Sequence, residues 1–166
     1  MAQFFVDNFN FLFFLDCGLG WHEYEGYCYK YVGSDREKYS WEQAKEGCIS
    51  LHKAHLASIH SVDEHRFIQT TIPTYDSFSQ FFPWIGAKYG SNDTSRNDEL
   101  AHGKSKVMDG WEWEDGSDVD YWDENYFPSG SDLSNHCIAI NNWAYGLWQD
   151  DDCESGHNYV CKKKYL

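Results

Sequence analysis

Six cysteines, at positions 17, 28, 48, 137, 153 and 161, constrain this chain more than any other feature. None forms a CxxC pair, so neither a zinc ribbon nor a thioredoxin-type redox site is encoded. An even count in a loop-rich chain points instead to three disulfides and an oxidising compartment. Six cysteines admit fifteen pairings, and spacing alone does not choose among them. Secretion is the expectation, and the acceptor pattern "NDT" at Asn92 adds a candidate N-glycosylation site.

The N-terminus fits that expectation less comfortably. Residues 1–16 are hydrophobic but carry no Lys or Arg, and Asp7, Asn8, Asn10 and Asp16 interrupt them. The longest unbroken apolar piece, Phe11 to Leu15, is five residues. A membrane span needs about 20 apolar residues. A secretory signal wants a basic start and roughly 7–15 apolar residues. We read the segment as a truncated or degenerate signal, or as an N-terminal strand, ahead of one domain over 17–166.

Hydrophobic periodicity divides that domain. "GWHEYEGYCYKYV" alternates around Gly26 and predicts a β-hairpin. "YSWEQAKEGCISLHK" predicts a helix, with Ser40 and Gln43 in capping-box spacing and Trp41, Ala44, Cys48 and Leu51 on one stripe. Ser61 and Glu64 repeat the box for a second helix, whose face is Val62, His65, Ile68 and Ile72 and whose end is Pro73. Short strands follow at "FFPWIGAKY", "WEWEDGS", "CIAI" and "NYVCKK". Between them lie a polar loop over 88–110 and an irregular aromatic and acidic run over 118–134. Two helices with small antiparallel sheets and a long irregular loop region make an α+β plan.

Taken in order, these segments resemble the C-type lectin-like domain in its long form with three disulfides. "CGLGWHEYEGYCYKY" is similar to that family's opening hairpin, and "SWEQAKEGCISLHKAHLASIHSVDEH" to its two helices. "WIGA" resembles its central strand, "WEWEDGSDVDYW" the entry to its long loop, and "CIAI…WQDDDCESGHNYVC" its closing strands. The resemblance implies the pairs Cys17–Cys28, Cys48–Cys161 and Cys137–Cys153. It also implies a non-enzymatic, secreted, extracellular module that presents its long-loop face to a ligand.

Sugar-binding members of the family hold calcium there with a Glu-Pro-Asn or Gln-Pro-Asp triplet, an acid two before the next cysteine, and Trp-Asn-Asp. The matching positions here read Phe127-Pro128-Ser129, Asn135 and Trp148-Gln149-Asp150. Calcium wants 6–8 oxygens, several of them carboxylate. Phenylalanine supplies none, Asn135 is neutral, Gln149 is one methylene too long, and Asp150 is the only matching acid. No cofactor is therefore expected, and calcium would have to recruit Asp151, Asp152 or the loop acids Asp118, Asp120, Asp123 and Glu124. The expected ligand contacts are Ser129, Asn135, Gln149 and Asp150, with Trp143 and Tyr145 as stacking or anchoring rings.

Charge and motifs limit the alternatives. With 13 Lys and Arg against 27 Asp and Glu, the net charge of −14 repels a phosphate backbone, so nucleic acid is not an expected partner. The pairs His52/His55 and His60/His65 could approach a metal, but no HExxH pattern accompanies them and they read as chance neighbours. Segment 91–100 lacks the glycine of an EF-hand loop. There is no GxSxG elbow, and no cysteine is left over as a nucleophile if all six pair. The expected partner is a glycan, or alternatively a cell-surface or other extracellular protein bound without calcium.

Overall fold

The computed structural model describes residues 17–73, 82–90, 110–122, 136–141 and 146–165. The predicted hairpin is β1 (His22–Tyr24) and β2 (Tyr27–Val32), turning at Glu25 and Gly26. Helix α1 (Trp41–His52) starts where expected. Gln43 N donates to Ser40 Oγ while the Gln43 side chain accepts from Ser40 N, so both halves of the capping box form. Strand β3 (His55–Leu56) follows, then α2 (Val62–Thr71). The remaining strands are β4 (Trp84–Tyr89), β5 (Trp111–Trp113), β6 (His136–Asn141), β7 (Leu147–Asp152) and β8 (Tyr159–Lys164).

Among the described residues, eight strands join one hydrogen-bonded sheet in the order β1-β2-β8-β4-β6-β7, with β3 beside β8 and β5 beside β4. Pairings are antiparallel except β4 with β8, which meet in parallel at Trp84 and Tyr159. The central strands are covered on both faces, which is why "WIGA", "CIAI" and "YVC" are nearly continuous apolar runs. Alternate residues supply two core layers. Cys48, Leu56, Trp84, Ala139, Tyr159 and Cys161 pack with α1. Ile59, Ile68, Ile85, Ile138, Ile140, Trp148 and Val160 pack with α2 and the tryptophans of β5.

Disulfides tie these layers in the pattern the resemblance implies: Cys17–Cys28, Cys48–Cys161 and Cys137–Cys153. Cys48–Cys161 fastens α1 to β8 through the core, and Cys137–Cys153 joins β6 to the turn after β7.

Four local expectations are corrected. Leu51 is exposed, because at about 100° per residue it lies on the margin of the α1 stripe and the helix ends one residue later. Val62, at the first turn of α2, is exposed too, and the inward position belongs to Glu64. The second capping box is only half formed: Glu64 N donates to Ser61 Oγ, but the Glu64 carboxylate accepts from His60 N instead of Ser61 N. The polar loop is also shorter than 88–110. Lys88 and Tyr89 pair with β5, and Gly90 N donates to Gly110 O, leaving 91–109, Asn92 among them, outside the described residues. Among the described residues no helix is long and apolar enough to cross a membrane.

Candidate functional site

Strand alternation decides what the aspartate triplet can do. On β7, Trp148 and Asp150 point to the buried side while Gln149 faces solvent. Asp150 lies opposite Ile138, and His136 sits diagonally from it on the same face of β6. The His136 Nδ1–H donates to Asp150 Oδ2 at 2.6 Å, and the Asp150 side chain is only 2% exposed. The one acid that matches the calcium pattern is therefore already held by an imidazole.

Its two neighbours are committed elsewhere. Asp151 Oδ1 accepts from the Asp152 amide and the Ser155 hydroxyl, and Oδ2 accepts from His157 Nε2 at 2.8 Å. Burial works to raise the Asp151 pKa, but these hydrogen bonds and the His157 charge outweigh it and hold the carboxyl below its ordinary value. Asp152 Oδ1 caps the turn by accepting from Glu154 N. Asp151 and Asp152 thus shape the β7–β8 connection rather than a cation cradle.

Beneath β7 lies an aromatic floor. Trp148 packs edge-on against Trp122, Trp113 and Tyr121, with centroids 5.0, 5.8 and 5.8 Å away. His65 of α2 meets the same ring at 5.7 Å and donates from Nε2 to Gly146 O at 2.7 Å. That close approach requires glycine: at φ +77° a Cβ on Gly146 would lie 1.8 Å from Gln69 Nε2. Tyr121 and Trp122, at the start of the long-loop region, are thereby seated on the core.

A second polar group lies between β3, α2 and β8. Lys162 Nζ donates to Glu64 Oε1 at 2.6 Å and to Ser58 O at 3.0 Å. Tyr29 Oη–H donates to the same Glu64 oxygen at 2.5 Å, and His60 N donates to Glu64 Oε2 at 2.7 Å. Burial first, then the Glu64 hydrogen bond and charge, push the Tyr29 phenol far above its ordinary pKa. Outside this knot opens a cleft of about 320 Å³ whose walls include Tyr27, His55, His60, Asp115 and Ser117.

The cleft holds an array that superficially suits hydrolysis. His60 Nδ1 meets Asp120 Oδ1 at 2.7 Å, and its Nε2 lies 3.1 Å from Ser58 Oγ. Yet the Ser58 hydroxyl donates to Asp115 Oδ2 at 2.7 Å, and its oxygen accepts from Lys162. Ser117 likewise donates to Asp115 Oδ1. Neither hydroxyl gives its proton to the imidazole, so no activated nucleophile results.

Of the residues expected at the ligand face, Gln149 and Asp150 are described and face opposite sides of β7. Gln149 Oε1 accepts from Asn141 Nδ2 at 3.1 Å across the strand pair, while Asp150 faces inward. Ser129, Asn135, Trp143 and Tyr145 lie outside the described residues. The histidine pairs are separated by their partners: His52 abuts Trp21, His55 meets Glu114, His60 meets Asp120, and His65 holds Gly146. Sequence reasoning did not pair His136 with Asp150 or place Lys162 inside. Strand parity carried a signal for the latter, since Lys162 shares a face with buried Val160.

Most of the chain is similar to known proteins. The Lectin C-type domain profile matches residues 37–163. Dromaiocalcin-1 of Dromaius novaehollandiae is 30% identical over 151 residues, 88% of this chain and 89% of that protein. A lectin of Pleurodeles waltl is 32% identical over 150 residues, 89% of this chain and 76% of its own length. The crystal structure of a calcium-independent type II antifreeze protein superposes with a TM-score of 0.65 at 25% identity, covering 91% of this chain and 96% of that one.

Proposed function

The chain belongs to the C-type lectin domain family, which is non-enzymatic, and from that premise we propose that it is a secreted module that recognises a glycan without calcium. The observation that carries the reading is the His136–Asp150 pair at 2.6 Å. A buried carboxylate without a partner would demand a cation. Here an imidazole from the neighbouring strand satisfies it, and Phe127, Asn135 and Gln149 stand at the other positions of the triad pattern.

Recognition then rests on the long-loop face. Ser129, Asn135 and Gln149 supply amide and hydroxyl contacts, Trp143 and Tyr145 supply rings for stacking, and Asp150 acts from below by fixing β6 against β7. Without a metal to bind two hydroxyls at once, each contact is weak, and useful avidity needs several copies. Three disulfides support secretion, with Asn92 as the glycan acceptor.

The test is a glycan array probed in calcium and again in chelator, together with thermal melting in both. The expected result is signal on a sugar class that chelator does not remove, with no calcium-dependent rise in the midpoint. A bound ion raises the midpoint by mass action, so such a rise would overturn calcium independence. An array silent in both conditions would sink the glycan and leave an extracellular protein as the partner.

A further inference from the structure

Away from β6 and β7, two lysines and a histidine gather around one indole. Trp21 stands just before β1, with Lys163 Nζ 4.2 Å and Lys30 Nζ 5.8 Å from its ring centroid. The ring of His52, the last residue of α1, meets the same indole edge-on at 5.9 Å. Strand register explains the convergence. Cys28 pairs with Lys163 and Lys30 with Cys161, which puts both lysines on the α1 side of the sheet. Leu19, in the turn before Trp21, is fully exposed, and Lys53 follows His52 at the helix C-terminus.

Acids outnumber Lys and Arg by 27 to 13 in this chain, yet among the described residues neither Lys30 nor Lys163 has a carboxylate partner. Other cations do: Lys45 meets Glu42, Arg66 meets Asp63, and Lys162 meets Glu64. The nearest acid in register on this face is exposed Glu23, opposite Cys28. Burial, and then the charges of Lys30 and Lys163, hold His52 below its ordinary pKa. Three nitrogenous groups therefore crowd one indole, and among the described residues no carboxylate forms an ion pair with either lysine. Cation–π contact with Trp21 keeps both ammoniums close together at a small cost in side-chain freedom.

We propose that Trp21, Lys30, Lys163 and His52 form a binding site for sulfated polysaccharide, distinct from the long-loop face. The choice of ligand follows from the charge balance. A net charge of −14 repels polyanions at long range, and only within a Debye length of about 8 Å does a local cluster dominate. A ligand gains from the cluster only where several of its negative groups fall within that distance of Lys30, Lys163 and His52 while the rest of it stays clear of the acidic surface. Sulfate groups repeated along a chain meet that condition, and a sparse carboxylate polymer does not. The ammoniums act as point charges on flexible stems, which suits sulfates presented in varying register. Lys53 extends the positive edge beyond His52.

Heparin is the probe, measured against the full chain at neutral pH by titration calorimetry over a range of salt. Binding is expected, weakening as salt rises. The variant K30A/K163A should lose roughly tenfold to thirtyfold in affinity, from about 1 kcal/mol for each surface lysine. The control K45A/R66A removes the same net charge from two ion-paired positions and should bind as the parent does. In the unaltered protein, His52 ring resonances followed by NMR should show a pKa raised by heparin, because a bound anion favours imidazolium; this arm stands even if a variant folds poorly. No heparin binding, equal losses in the two variants, or an unmoved His52 would overturn the proposal. So would equal affinity for hyaluronan, or binding to phosphatidylserine vesicles in place of heparin.

Discussion

Lys162 belongs to a run of three lysines, and polarity alone would put all three in water. Its neighbours behave that way: Lys164 is exposed and Lys163 lies over Trp21. Lys162 instead points inward with Val160, and its side chain is 6% exposed beside Glu64 at 8%. Such a pair costs desolvation, which here is offset by a full set of partners: Ser58, Tyr29 and the His60 amide. Removing one member leaves a buried charge without its counterpart, which costs about 3–5 kcal/mol. Lys162→Met should therefore lower unfolding free energy by that amount in urea denaturation. Adding Glu64→Gln to it should recover a large part, since the glutamine carbonyl can accept from His60 N while its NH2 donates to the Tyr29 hydroxyl oxygen. If the single variant loses less than about 1 kcal/mol, the value of an exposed pair, the two side chains are not sharing a dry site.

At the scale of elements, propensity and packing can oppose each other, and Gly47 in the middle of α1 is the clearest case. Glycine inside a helix is disfavoured by about 1 kcal/mol relative to alanine, so propensity says Gly47→Ala stabilises. Packing says otherwise: a Cβ there would stand 2.5 Å from Tyr159 Oη and 3.1 Å from Cζ. Tyr159 is buried on β8 beside Cys161 and cannot swing away without disturbing that layer. The substitution should lower the melting midpoint rather than raise it, and circular dichroism at 222 nm during a thermal ramp reads the sign directly. The same conflict explains what was legible beforehand. Helix α1 and the hairpin showed their boundaries because capping, turn residue and periodicity agree locally. Strand β7 is harder to see from composition, since "LWQDDD" carries three acids and its inward Asp150 is compensated by His136, fourteen residues away in sequence. Val62 and Leu51 misled for a related reason: each sits at a helix end, where an apolar residue meets no opposing layer. The family pattern located Asp150 but could not show that it faces inward.

For the molecule as a whole, the disulfides differ in how much chain they restrain. Cys48–Cys161 closes a sequence separation of 113 residues and joins α1 to the terminal strand, so it spans both core layers and every loop between them. Cys17–Cys28 closes 11 residues around the first hairpin. In the chain-entropy account, the long closure contributes about 5 kcal/mol and the short one about 3. Packing adds to the difference, because Cys48 and Cys161 are fully buried and their replacement also removes contacts from the α1 layer. A domain of this kind, with a net charge of −14 working against compactness, has little stability in reserve. C48A/C161A should therefore unfold at markedly lower denaturant than C17A/C28A, by at least about 2 kcal/mol at equal slope. The short-loop variant should remain folded, with the sheet intact and only the β1–β2 edge loosened, as amide exchange on Tyr27 and Tyr29 would report. Equal losses in the two variants would mean that the unfolded chain does not feel loop length, and that the disulfides act only through local packing.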